Sequence, residues 1–369
     1  MNIPFVNLKR MHAPIRSVIN EAINGIIDAN SYIMGKAIDD FECHFARYLG
    51  VQSVVGVSSG TDALFLALKA LNVGRGDMVV TVPHTFIATA EAITMAGGEI
   101  LFCDVDERSS NMSPEKLEFF LAHLDKRIRN KIKAIIFVSL YGNPEGLDAI
   151  FEISTMHRIP LISDAAQAHG AQIAGRPITD FADMTCYSFF PGKNLGAFGD
   201  AGALALNNPE MAQTLNMLRN HGRTEKYLHP LEAYNCRMDT LQAAVLDVKL
   251  NSLDQWNANR LNAAARYNDH LARKGYFTPS IDKRYQSVFH LYVTRVNDRD
   301  RVIQKLESSG VSTGIHYPLP LHLQPAYRYL GYEKGDFPIS ERLSDVILSL
   351  PIDGTITPEE VDVVCSLMP

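Results

Sequence analysis

A largely parallel β-sheet covered by helices on both faces, followed by a smaller α+β domain, is the fold this sequence predicts. Three observations carry it. Short, near-continuous apolar runs alternate with stretches of helical spacing from Val51 to Ile162, the pattern of βα units around a sheet buried on both sides. At 369 residues the chain exceeds one typical domain, and two are expected. An unbroken helical pattern from Thr240 to about Arg273 is long enough to bridge two lobes, so the division is placed at residues 1–249 and 250–369.

Taken in order, apolar residues recur at helical spacing over Ile15–Ile27 and again over Ile38–Tyr48, which Gly50 closes. The alternation then begins. Strands are predicted at Val51–Val57, Met78–Val82, Glu99–Val105, Ala134–Leu140, Pro160–Ile162 and Met184–Tyr187. Helices are predicted at Asp62–Leu71, Phe86–Met95, Pro114–Leu124 and Leu147–His157. After a helix at Met211–Arg219 the stretch His221–Arg237 is irregular. Past the long helix come a strand at Val288–Val296, a helix at Arg301–Ser308, a Pro/His/aromatic loop from His316 to His322, and helices at Ile339–Leu348 and Pro358–Leu367.

Composition narrows the function classes. The charge is −6, from 35 basic and 41 acidic residues, without a basic block, so binding to nucleic acid or a membrane surface by bulk charge is disfavoured. The start Met1-Asn2-Ile3-Pro4-Phe5 lacks a secretory pattern and no apolar run approaches a membrane span, which leads us to expect a cytoplasmic protein. Cys43, Cys103, Cys186, Cys236 and Cys365 are scattered with no C-x-x-C, and neither a disulfide framework nor a metal site is expected.

Lys193 stands in an aromatic and glycine-rich run, Ser188-Phe189-Phe190-Pro191-Gly192-Lys193-Asn194-Leu195-Gly196-Ala197-Phe198. A lysine amine is nucleophilic only when neutral, and apolar walls such as Phe189, Phe190 and Phe198 could lower its pKa. From this segment alone, a lysine in a surface loop is an equal reading. A second candidate is the passage from strand through Ser58-Ser59-Gly60-Thr61 into a helix. Free backbone N–H groups and the helix dipole there suit a phosphate, although Ser and Thr also serve as plain helix caps. Ligands of parallel sheets sit at the carboxyl ends of strands, and Phe86, Asp164, Gln167 and Ser188 all follow predicted strands.

A walled lysine, a phosphate cradle, an aromatic and a strand-end carboxylate are together the parts that pyridoxal 5′-phosphate (PLP) requires. The segments Ser58–Leu64, Asp164–Gly170, Ser188–Gly196 and Asn235–Ala244 resemble, in that order, the motifs of the DegT/DnrJ/EryC1/StrS family of PLP-dependent nucleotide-sugar aminotransferases. The resemblance spans essentially the whole chain and implies the aspartate-aminotransferase type of fold, PLP fold type I. It implies that Lys193 bonds the cofactor aldehyde and shuttles the proton, Asp164 pairs with the pyridinium nitrogen, Gln167 lies near the ring hydroxyl and Phe86 stacks on the ring. Ser59, Gly60, Thr61 and Ser188 would bind the phosphate, joined by Asn235 from the other subunit of a homodimer. Tyr32, His169, Arg223, His316, Tyr317 and His322 would be sugar-nucleotide contacts. Similar dehydrating members carry histidine in place of the lysine, so Lys193 favours transamination. The lysine loop and Ala168-His169-Gly170 look most like members that move an amino group from L-glutamate to C3 of a dTDP-linked 3-keto-6-deoxyhexose. Other nucleotide keto sugars, of the UDP-3-keto-glucuronate or 4-keto type, and a non-catalytic PLP-binding sensor are the alternatives. A PLP lyase or desulfurase would want a mobile cysteine, whereas Cys186 sits in a strand pattern.

Overall fold

The computed structural model describes residues 2–369. Seven strands form the central sheet: β1 (Ser53–Val57), β2 (Met78–Thr81), β3 (Glu99–Phe102), β4 (Ile132–Val138), β5 (Leu161–Asp164), β6 (Met184–Ser188) and β7 (Gly202–Leu206). Their order is β1-β7-β6-β5-β4-β2-β3. All run parallel except β7, which is antiparallel to both neighbours. The near-continuous apolar strands have the expected cause, because both faces are covered. Along β4, Ile135 and Phe137 enter one core while Ala134 and Ile136 enter the other, as side chains alternate across a strand. On the first face the helix Lys36–Leu49 buries Ile38, Phe41, Phe45, Ala46 and Leu49 and ends at Gly50, whose φ of 68° is the left-handed stop favourable to glycine. Phe45 meets Tyr187 and Phe189 edge-on at 5.2 and 5.5 Å, and fully burying such a ring contributes roughly 1.5–3 kcal/mol.

Strand β7 was not expected. Its sequence Gly202-Ala203-Leu204-Ala205-Leu206 holds no β-branched or aromatic residue and so carries no local strand preference. It forms because β1 and β6 offer ladders on both edges: Ala205 lies opposite Val54 on one side and Thr185 on the other.

Three further expectations are corrected. The long helix is two, Thr240–Leu250 and Leu253–Arg273. Asn251 donates its side-chain amide to the carbonyls of Asp247 and Val248, and Asn and Ser compete with the backbone in this way at helix ends. The predicted strand Val288–Val296 shrinks to Tyr292–Arg295, because Val288 turns back to donate to Gly142 and Phe289 takes a φ of 41°. The predicted helix Ile339–Leu348 runs over Pro338–Val346 and passes into a strand, Ile347–Leu350, that pairs antiparallel with Tyr292–Arg295.

A third core holds Tyr267, Leu271, Tyr292, Leu306, Leu348, Val361 and Val364. Its buried members all lie beyond residue 250 apart from Ile3, which bridges to Val311. We retain a second domain beginning near residue 250 as a proposal, with the start of the chain laced to it. No helix among the described residues is long and apolar enough to cross a membrane.

Candidate active site

Strands β5 and β6 are neighbours and β1 lies beyond the intervening β7; the carboxyl ends of all three open on a cavity of about 530 Å³. The lining includes Ser59, Gly60, Thr61, Phe86, Asp164, Gln167, Ser188, Lys193, His316 and Tyr317. Ten residues singled out from the sequence therefore meet in one place.

The first wall is the start of the helix Gly60–Ala70. Ser59 caps it, its hydroxyl accepting from the Asp62 amide at 3.0 Å, which leaves the Gly60 and Thr61 amides at the opening turn ahead of the helix's own hydrogen bonds. Glycine is required at two points. A Cβ on Gly60 would stand 2.5 Å from the Ser188 Cβ, and one on Gly202 would stand 2.2 Å from the Ser59 carbonyl oxygen and 2.7 Å from the Gly60 nitrogen. The second contact explains why β7 must begin with glycine, since it supports the cradle from behind. Gly202→Ala is expected to push the cradle outward. Overpacking of this kind costs about 1–3 kcal/mol, so the variant should fold but hold PLP roughly ten- to a hundredfold more weakly in an equilibrium titration.

The second wall is Asp164 at the end of β5, only 6% exposed. Burial raises its pKa, while the Thr89 hydroxyl, which donates at 2.8 Å, the Ala166 amide at 3.2 Å and the Lys193 charge pull it back. Thr85 and Thr89, joined at 3.1 Å, escaped the sequence reading. Their only signal is the i, i+4 spacing around the Phe86 position. Gln167 is oriented by backbone: its Oε1 accepts from the Tyr141 amide at 2.6 Å, which turns the side-chain NH₂ toward Tyr317, whose hydroxyl lies 3.4 Å away. Phe86 remains 54% exposed, a large apolar ring opening on the cavity, and its ring lies 5.6 Å from that of Tyr317.

Lys193 completes the cavity. Its loop is pinned by the Phe189 amide to Ala201 and by the Ala197 amide to Phe189, both at 2.7 Å. Burial lowers the lysine pKa to about 8, against the opposing pull of Asp164. Of the three aromatics expected to wall it, only Phe190 lines the cavity. Phe189 is buried in the core, and Phe198 packs against His12 and Lys249 outside it.

The remaining expected residues lie elsewhere. His169 is fully buried between Tyr187 and Phe189, each about 5 to 6 Å away. His322 is enclosed too, its Nε2 at 3.0 Å from Glu341 and its ring against Phe337, which leaves no face for a diphosphate. A polar residue in a loop-like run gives no sign of burial, and these two were misplaced for that reason. Tyr32 and Asn235 are exposed and Arg223 half-exposed; none of the three lines this cavity.

The residues present fit a phosphorylated pyridine aldehyde. A glycine-opened helix start suits the phosphate, a buried carboxylate on the cavity wall suits a protonated ring nitrogen, an exposed ring suits stacking, and a depressed lysine suits the aldehyde. Fold and site together define a PLP-dependent aminotransferase of fold type I. The chain belongs to the DegT/DnrJ/EryC1/StrS aminotransferase family, which it matches over residues 14–368.

It is 38% identical to the dTDP-3-amino-3,4,6-trideoxy-alpha-D-glucose transaminase of Streptomyces venezuelae, across 95% of this chain and 91% of the relative. It is 35% identical to the UDP-2-acetamido-2-deoxy-3-oxo-D-glucuronate aminotransferase of Pseudomonas aeruginosa, across 99% of each. Among solved structures, DesV of S. venezuelae, crystallised in complex with a ketimine intermediate, superposes with a TM-score of 0.94 at 37% identity, covering 99% of this chain and 97% of that one.

Proposed function

We propose that this enzyme transfers the amino group of L-glutamate to C3 of a dTDP-linked 3-keto-6-deoxyhexose, in deoxyamino-sugar biosynthesis, and works in the cytoplasm as a homodimer. The observation that carries it is the convergence of Lys193, Asp164, Gln167 and the Ser59–Thr61 cradle on one cavity. Relatives named for a dTDP-3-amino sugar and for a UDP-linked 3-oxo sugar support the substrate class.

PLP, when bound, supplies the electron sink that lets an amino group leave one carbon and enter another. In the proposed assignment Gly60, Thr61, Ser59 and Ser188 would hold its phosphate, Phe86 would cover its ring, and Asp164, whose carboxylate Thr89 and the Ala166 amide support against the burial that raises its pKa, would pair with its protonated ring nitrogen. Gln167 directs an N–H toward the ring hydroxyl. Lys193 would hold the aldehyde and its amine would move the proton; its lowered pKa suits it to act as base and acid near neutrality. Glutamate and keto sugar use the same site in turn. Asn235, exposed in the single chain, is placed on the phosphate of the neighbouring subunit, with Tyr32 and Arg223 near the sugar nucleotide at that interface. His316 and Tyr317 face the sugar from within the chain. The acidic overall charge cannot steer a nucleotide diphosphate by bulk attraction, so local contacts must hold it.

The experiment supplies glutamate with dTDP-3-keto, dTDP-4-keto and UDP-3-keto-glucuronate sugars separately and follows 2-oxoglutarate. The dTDP-3-keto sugar should turn over fastest, by at least tenfold. Preference for either of the others would overturn the C3, dTDP assignment.

A further inference from the structure

The buried side chain next to Lys193 belongs to a polar chain whose hydrogen-bond directions can be worked out. Asn194 is 1% exposed. Its Nδ2 lies 3.1 Å from the Val288 carbonyl and 2.9 Å from Asn257 Oδ1. A carbonyl can only accept, so the Asn194 atom facing Val288 must be the NH₂. The same logic fixes Asn257, whose Nδ2 donates to the His169 carbonyl at 2.8 Å and whose Oδ1 is thereby turned to Asn194. Both Asn194 protons are spent, and its Oδ1 faces His290 Nδ1 at 3.1 Å. Only a protonated Nδ1 makes that bond. The His290 backbone is held as well, its carbonyl accepting from the buried Arg260 at 3.1 Å.

The other ring nitrogen is then determined. Burial, with Lys193 and Arg260 nearby, holds the His290 pKa far below its ordinary value, so the ring is neutral and Nε2 carries a lone pair. His290 lines the cavity with Lys193, His316 and Tyr317. Its Nε2 is not sealed away without a partner, as both ring nitrogens of His169 are. The cavity therefore contains an acceptor: moving the ring proton to Nε2 would break the bond to Asn194, and burial opposes adding a second proton. Such an atom repels carboxylates, which themselves only accept, and welcomes a hydroxyl.

We propose that His290 is a specificity-determining residue whose Nε2 accepts a hydrogen bond from a hydroxyl of the sugar substrate, while contributing nothing to the carboxylates of the amino donor. This rests on the sugar-aminotransferase reading. The wild-type holoenzyme must accordingly be shown first to turn over a nucleotide keto sugar; failure at that step would count against the reading itself.

The test separates the two half-reactions. His290→Asn keeps a donor near the Nδ1 position and removes the acceptor, whereas His290→Gln returns an amide oxygen near the Nε2 position. With the PLP spectrum unchanged, His290→Asn should raise KM for the keto sugar roughly five- to tenfold, the range of one neutral hydrogen bond, with glutamate KM within about twofold. His290→Gln should recover part of the loss. Keto sugars lacking the C2 or the C4 hydroxyl complete the cycle: one should weaken binding to wild type by the same factor and leave the Asn variant indifferent. Equal losses in both half-reactions, an unchanged sugar KM, or deoxy penalties that persist in the variant would each overturn the proposal.

Discussion

Lys193→Ala is expected to lower turnover at least a thousandfold while leaving the protein folded. The side chain is only half-buried at the cavity wall, so its removal leaves no sealed void in the core. What is lost is chemical. An ordinary lysine, with a pKa of about 10.5, is neutral in about one molecule in three thousand at pH 7. With its pKa near 8, Lys193 is neutral in about one in ten. Desolvation by the cavity walls is the largest cause, and it outweighs the Asp164 carboxylate, which favours the charged form. A proton-transferring group typically contributes about 10²- to 10⁴-fold, and the covalent anchor for the cofactor disappears with it. Steady-state kinetics on the variant reconstituted with excess PLP would read the loss. Activity within tenfold of wild type would mean that another base does the work.

The second large effect is expected at Asp164→Asn: a roughly hundred- to thousandfold fall in kcat with PLP still bound. The substitution nearly preserves shape and lets Thr89 and the Ala166 amide, at 2.8 and 3.2 Å, keep a partner. It removes the negative charge. Burial already opposes that charge, so the carboxylate is worth keeping in this position only if a cation faces it across the cavity, as a protonated ring nitrogen would. Removing one preorganised electrostatic partner from a site of this kind typically costs about 10² to 10³ in rate. Cofactor stoichiometry and kcat, measured on the same preparation, separate binding from chemistry. Near-wild-type kcat would refute the assignment.

Much of this site was legible because its residues adjoin strand ends. Asp164 closes β5, Ser188 closes β6 and the Ser59–Thr61 turn follows β1, and strand ends can be located from apolar runs. Lys193 was legible from the contrast with its surroundings. The supporting residues were not. Thr89 and His290 are unremarkable in sequence and acquire meaning only from the atoms opposite them, Asp164 in one case and Asn194 in the other. His169 and His322 misled for the converse reason: their neighbours in sequence look like loop, while their neighbours in space are Phe189 and Phe337. The split of the long helix turned on one asparagine side chain, Asn251, and β7 on ladder edges that no local pattern announces.

The central claim is that this cavity holds PLP on Lys193. It is tested most directly by reducing the yellow holoprotein with borohydride, digesting it and locating the phosphopyridoxyl mass by peptide sequencing. The account predicts a single labelled peptide spanning Ser188–Gly196 with the mass on Lys193, and no label in Lys193→Ala. Label on a different lysine, Lys249 included, or persistent labelling of the variant would contradict it.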